Sequence, residues 1–243
     1  MPEPVVAAPE PGLSLLSRAI GMFTSPKATF EKIVANPKPA GILFVAALVI
    51  ALAAASPQFT EAGRQAALDM QVKQTEQWSG KQVTDQQYAQ MEQWSKYGAI
   101  VGVVGTFIFM PVVSLIFAGL YFVAFNAIMG GTASFKQVLA VVTHSQVIGA
   151  LGAVAGAPIQ LMRGTISMAG PFNLGALVPM LDESSTIARV LGSISVFTLW
   201  GLVVTGIGLG VLYRRKGGSI GIVLIAIYLL IVFGVIALFS RGG

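Results

Sequence analysis

His144 is the single imidazole of this 243-residue chain, and it lies in the polar string Thr143-His144-Ser145-Gln146, inside a stretch from 137 to 162 that holds no Asp, Glu, Lys or Arg. An ionisable group in such a setting points to proton or ion handling, because hydrocarbon tolerates it only beside a partner or a wet cavity. Asn126, Ser114 and Gln137 are further polar side chains of the uncharged stretches. With His144 they make a candidate functional cluster able to line a polar path for an ion, a solute or a lipid. The same residue types have a structural use, since Ser, Asn, Gln and His hydrogen-bond between helices in membranes. His144 then needs only Asn126, Ser114 or a facing backbone group as its partner. No carboxylate shares these stretches, so a proton relay between His144 and an acid is excluded.

Other chemistry is sparse. Asp182 and Glu183 are adjacent, point apart on a helix, and precede Ser184, Ser185 and Thr186, which is the pattern of a capped helix start. No Gly-rich phosphate loop, no His and Glu metal spacing and no nucleophile elbow occurs. The chain contains no Cys, which removes disulfides and thiolate metal sites. No catalytic residue, cofactor or metal ligand is assigned, and the chain reads as a non-enzyme.

The elements that hold these residues are set by charge. Stretches 39–60, 97–135, 137–162, 190–213 and 217–240 carry no Asp, Glu, Lys or Arg, in a chain that is 55% hydrophobic and 10% charged. A helix needs roughly 20 apolar residues to cross a hydrocarbon core of about 30 Å. The expected fold is therefore all-α: a polytopic bundle of five transmembrane helices at about 40–56, 98–129, 138–157, 190–213 and 219–239. Splitting 97–135 at Pro111 would leave a piece too short to cross, so one long tilted helix is expected there, kinked at Pro111 and ended by Gly130-Gly131. The first span is the shortest and is expected inside the bundle.

Outside the spans, residues 1–12 are rich in Pro and read as a flexible tail, leaving 13–243 as a single membrane domain. Leu16, Ile20 and Phe23 recur at helical spacing opposite Ser14 and Arg18, Ser25-Pro26 reads as an N-cap with Pro at the first helical position, and Phe30, Ile33 and Val34 share one side of the next helix. Two short amphipathic helices of this kind, placed before a span, lie in the headgroup layer. Between the first two spans, Ser79-Gly80 and the capping-box spacing Thr84 to Gln87 predict a helical hairpin. Trp94 and Tyr97 fall at a water boundary, and Trp200 reads as a packing anchor against another span. Gly98 and Gly102, Gly152 and Gly156, and Gly206 and Gly210 allow close helix approach, first of all within one monomer. The net charge of +5 is scattered apart from Arg214, Arg215 and Lys216, which act as a topology determinant and not as a nucleic-acid patch. The first apolar run begins near Pro39, which argues against a cleavable signal peptide.

Several segments resemble the Yip family of five-span membrane proteins, named for interaction with Ypt/Rab GTPases, and specifically its bacterial branch. Met22-Phe23-Thr24-Ser25-Pro26-Lys27-Ala28-Thr29-Phe30-Glu31-Lys32-Ile33 is similar to the family's entry segment. Gly130-Gly131-Thr132-Ala133-Ser134-Phe135-Lys136-Gln137-Val138-Leu139 is similar to its turn between the second and third spans, and Phe197-Thr198-Leu199-Trp200 with Gly206 and Gly208 to its fourth span. The resemblance covers about residues 20–240. It implies a cytoplasmic N-terminal region, five helices and no known catalytic role; eukaryotic members are linked to vesicle traffic, Rab binding and pairing with related proteins. This chain departs from them in lacking an N-terminal Asp-Leu-x-Gly-Pro element. It also has His144-Ser145 where bacterial members often show Tyr-Ala followed by Pro.

Together these readings predict a non-catalytic integral protein, acting through membrane organisation or partner contacts, in the bacterial cytoplasmic membrane. Its partners would be the bilayer and another membrane protein or a second copy, not nucleic acid; the alternative is a small carrier or channel with its path near His144. Near the span ends, Lys27, Lys32, Lys38, Lys136, Arg214, Arg215 and Lys216 lie on the N-terminal side, against Arg64, Lys96, Arg163, Arg189 and Arg241 on the other. The excess places the N-terminus in the cytoplasm and the C-terminus across the membrane. Reporter fusions at the two ends are expected to report opposite compartments; signal from the same compartment would rule out an odd number of crossings.

Overall fold

The computed structural model describes residues 13–164, 166, 170–178, 180–181 and 185–240. The tail at 1–12, the Asp182-Glu183-Ser184 cap and Arg241 lie outside the described residues. Ten α-helices occur among those described: α1 (Leu15–Thr24), α2 (Pro26–Ala35), α3 (Pro39–Ala55), α4 (Glu61–Ser79), α5 (Asp85–Ser95), α6 (Gly98–Phe122), α7 (Phe135–Arg163), α8 (Thr186–Gly192), α9 (Val196–Leu212) and α10 (Gly217–Ser240). Five are long and apolar enough to cross a membrane: Pro39–Phe59, Gly98–Ile128, Phe135–Arg163, Val196–Tyr213 and Gly217–Ala237. The protein is a helical polytopic bundle, as its charge-free stretches predict.

The bundle is organised around α7. Of its apolar window 56% is buried, against 6% for the second span and 11% for the fifth, so α7 is enclosed by protein while α6 and α10 are peripheral. Helices α3, α9, α6, α1 and α2 all pack on it. On α3 the residues Ile42, Ala46, Ala47, Ala51 and Ala55 are buried, while Phe44, Val45, Leu48 and Leu52 are exposed. Small side chains let two backbones approach where lipid offers no hydrophobic drive for association. A third of the first span's apolar window is buried, and a 3₁₀ turn at Ser56–Phe59 extends it to 21 residues.

The second span runs uninterrupted through Pro111 to Phe122 and then widens into a π-helix over Val123–Ile128. Gly130, at φ 71°, and a bond from the Gly131 amide to the Phe125 carbonyl close it. The fourth span is shorter than its uncharged stretch. Thr186–Gly192 is a separate helix capped by Ser185, and the chain pairs at Ser193–Val196 with the loop before it: the Leu174 amide donates to the Ile194 carbonyl and the Val196 amide to the Phe172 carbonyl. These bonds hold the backbone extended at Ser195, so the spanning helix begins at Val196, not Val190.

Helices α1 and α2 form a hairpin whose inner face is part of the core. Met22, Phe30 and Ile33 are fully buried, and the Phe30 ring meets Val141 of α7 at the space left by Gly208 of α9. Pro26 opens α2 as expected, but Ser25 makes no side-chain cap; its carbonyl instead receives the Thr29 amide and hydroxyl. Trp200 packs edge-on against Phe23 of α1, with centroids 5.8 Å apart, so it anchors this hairpin. The polar hairpin α4–α5 forms as predicted, with Gly80 at φ 65° ending α4 and the Thr84 and Gln87 capping box starting α5.

Each glycine pair is spent inside the monomer. A Cβ at Gly98 would meet Gln58, one at Gly152 the Phe197 ring, and one at Gly156 Pro171. The closest crossing joins α9 and α10, where Gly206 and Gly210 face Gly221 and Gly217; a Cβ at either would lie 2.5 Å from a glycine Cα across the crossing. Overpacking a fitted contact costs about 1–3 kcal/mol. Gly206→Leu is therefore expected to lower the thermal midpoint of the detergent-purified protein clearly, while Gly105→Leu on the open face of α6, where a Cβ meets nothing within 4 Å, leaves it unchanged. Equal behaviour of the two variants would contradict the crossing.

Candidate functional site

The polar run Thr143-His144-Ser145-Gln146 points its four side chains around most of the circumference of α7, at about 100° per residue. Three bond back to their own helix: Thr143 Oγ1 to the Ala140 carbonyl at 3.3 Å, His144 Nδ1 to the same carbonyl at 2.7 Å, and Ser145 Oγ to the Val141 carbonyl at 2.9 Å. Back-bonding of this kind is the local solution for a hydroxyl in a helix interior. Gln146 reaches outward instead, and its Nε2 donates to Ser114 Oγ of α6 at 2.7 Å. Ser114 in turn donates to the Met110 carbonyl at 2.7 Å.

Among the described residues no hydrogen bond joins any two members of the candidate cluster His144, Asn126, Ser114 and Gln137. His144 is bonded to neither Asn126 nor Ser114. A second buried ionisable group is Arg18 of α1. Arg18 is only 4% exposed and donates from Nε to the Leu13 carbonyl at 3.0 Å. Arg18 Nη1 and His144 Nε2 are both buried with no hydrogen-bond partner among the described residues. Arg18 reads in the sequence as the wet side of an amphipathic helix; the α1–α2 turn rotates it inward, which periodicity alone does not show.

Asn126 and Gln137 belong to the turn between α6 and α7. Asn126 Nδ2 donates to the Ala133 carbonyl at 2.6 Å, across the turn that the π-helix introduces. Gln137 forms a capping box with Ser134, its Oε1 accepting from the Ser134 amide at 2.9 Å while Ser134 Oγ accepts from the Gln137 amide at 3.3 Å. Its Nε2 then donates to the Val34 carbonyl at the end of α2, at 3.0 Å. Gln137 is thus a cap and a tie, and the Ser-x-x-Gln spacing from Ser134 is the signal that finds it.

The topology residues lie at helix ends. Arg214 adopts φ 54° after α9, the Arg215 amide donates to the Gly210 carbonyl at 2.8 Å and the Arg214 amide to the Val211 carbonyl at 3.4 Å. This is the Schellman pattern, with an arginine where glycine is usual. Left-handed backbone at a non-glycine residue costs about 1–2 kcal/mol, offset in part by three exposed cations at the negative end of the helix dipole. Trp94 and Tyr97 are exposed at the α5–α6 junction with rings 5.9 Å apart, and Lys96 Nζ sits 5.1 Å from the Tyr97 centroid. Among the described residues no group of three or more His, Cys, Asp or Glu is placed to hold a metal.

A family profile for the Yip1 domain matches residues 20–239. The chain belongs to the Yip1 domain family. It is also similar to membrane protein YknW of Bacillus subtilis, with 24% identity over 221 residues that cover 90% of this chain and 87% of that protein. No solved structure matches. The five apolar helices and these relationships make this Yip1 domain protein an integral membrane protein of the bacterial branch.

Within this family member, the Ser114 to Gln146 bond is the side-chain tie between α6 and α7 that sequence reading missed. Such bonds in membranes are worth about 0.6 kcal/mol on average. A double-mutant cycle of Ser114→Ala and Gln146→Leu, read by reversible unfolding in detergent micelles, is expected to return a coupling of that size. Strictly additive effects would mean that the two side chains do not interact.

Proposed function

We propose that this Yip1 domain protein is a non-catalytic organiser of the bacterial cytoplasmic membrane that acts by lateral contact with other membrane proteins or with further copies of itself. The observation that carries the reading is the division of labour among its side chains. Each of His144, Asn126, Ser114 and Gln137 makes at least one bond in back-bonding, capping or an interhelical tie, while the second and fifth spans turn almost their whole apolar surface outward. Family membership supports the same direction, and YknW is itself described as a membrane protein.

A polar path would require His144, Asn126, Ser114 and Gln137 to converge on a hydrated space. They are instead divided between the centre of α7, its bond to α6 and the α6–α7 turn. His144 is 0% exposed, and none of the four lines either cavity of the bundle described below.

Photo-crosslinking residues at Ile108 or Phe109 on α6 and at Leu230 on α10, all well exposed, are expected to give discrete protein adducts above the protomer mass in native membranes. The buried position Ile148 is expected to stay silent. Lipid adducts alone at every outward position would defeat lateral contact. In parallel, vesicles holding the purified protein are expected to leak protons and small solutes no faster than empty ones; a flux that His144→Leu abolishes in folded protein would establish a carrier instead.

A further inference from the structure

The C-terminal half of α7, away from Gln137, borders a partly open cavity of about 770 Å³ lined also by α3, α9, α10 and the loop at Gly170–Phe172. That size lies within the usual range for small-ligand sites, about 300–1,000 Å³. Its polar lining is uncommitted. The side chains of Gln160, Ser195 and Thr198 line it and take no hydrogen bond among the described residues, although a helical Thr ordinarily bonds back to the preceding turn. The Tyr228 hydroxyl donates to the Ser193 carbonyl at 3.0 Å, which leaves its oxygen free to accept. Among the described residues the lining holds no Asp, Glu, Lys, Arg or His.

A second space of about 410 Å³ runs between α3 and α7 and shares Ala53 with the first. Val49, Leu52, Val154, Ala157, Pro158 and Leu161 line it, without a polar side chain. A chamber with free hydroxyl and amide groups therefore continues into an apolar groove at the surface of the bundle. We infer that the pair is a binding site for an uncharged lipid with a hydroxyl-bearing head, of the diacylglycerol class: the glycerol hydroxyl and ester carbonyls meet Gln160, Ser195, Thr198 and Tyr228, and an acyl chain lies in the groove between α3 and α7. A phosphate head would need charge-assisted donors, and an inorganic ion a compensating charge; the described lining supplies neither. The inference does not rest on lateral contact, since the site lies within one protomer.

Gly149 forms part of the chamber wall and a Cβ there meets nothing within 4 Å, so Gly149→Leu fills the chamber without striking the backbone. Protein reconstituted in phosphatidylcholine vesicles doped with a diazirine-bearing diacylglycerol is expected to label saturably on peptides covering 149–161 and 195–198. Gly149→Leu is expected to cut labelling at least fivefold, and Gly105→Leu to leave it unchanged. Excess unlabelled diacylglycerol should compete, while phosphatidylglycerol with the same chains should not. Labelling that is unsaturable or indifferent to Gly149→Leu, or that phosphatidylglycerol competes equally, overturns the assignment. If Gly149→Leu does not run as a single folded species on gel filtration, the double variant Gln160→Leu with Thr198→Val carries the same expectation, and undiminished labelling of it overturns the site.

Discussion

The third span has to be surrounded by protein. Four consecutive polar residues on one helix leave no apolar side to turn toward lipid, and an unsatisfied polar group in hydrocarbon costs several kcal/mol. Back-bonding of Thr143, His144 and Ser145 meets part of that demand within α7, and enclosure meets the rest, since all four side chains are buried or half-buried. Helices α1, α2, α3, α6 and α9 each occupy a sector around α7. The arrangement makes α1 and α2 structural: without the Met22, Phe30 and Ile33 face, the sector of α7 at Val138 and Val141 would be open.

Much of this frame is legible in the sequence because its signals are local. Charge-free length places the five spans, the Thr84 and Gln87 spacing opens α5, and Pro26 starts α2, each through chemistry within a few residues. What the sequence conceals is rotation about a helix axis. Arg18 reads as a solvent-facing cation yet is buried, and Trp200 packs on Phe23 of α1, a contact that no local spacing announces. The start of α9 is hidden for a related reason. Ser193–Ser195 carries no charge and no proline, and only its pairing with Phe172 and Leu174, some 20 residues away, pulls it out of the helix.

The candidate site was legible as a list of residue types and not as a site. Polar residues in apolar stretches are few, so His144, Asn126, Ser114 and Gln137 stand out at once. Their convergence depends on register between helices, for which the sequence carries no periodic signal. Ser114 and Gln146 are 32 positions apart, and nothing local to either selects the other over Asn126 or His144. Gln137 is the exception, because Ser134 three residues before it identifies a cap by spacing alone.

The two ends of the bundle are tied by different means. At the end holding the α6–α7 turn, Asn126, Ser134 and Gln137 join the turn to α2, the Phe125 and Tyr213 rings stack 4.7 Å apart, and the Schellman turn at Arg214 binds α9 to α10. A rearrangement there would break several bonds together. At the opposite end, among the described residues, the Asn173 and Ser195 bridge and the Tyr228 bond to the Ser193 carbonyl tie the preceding loop and α10 to the start of α9, and the 3₁₀ turn at Ser56–Phe59 packs on α4, α6 and α7. The first end is tied through side chains and caps, the second through backbone pairing that also fixes where α9 begins.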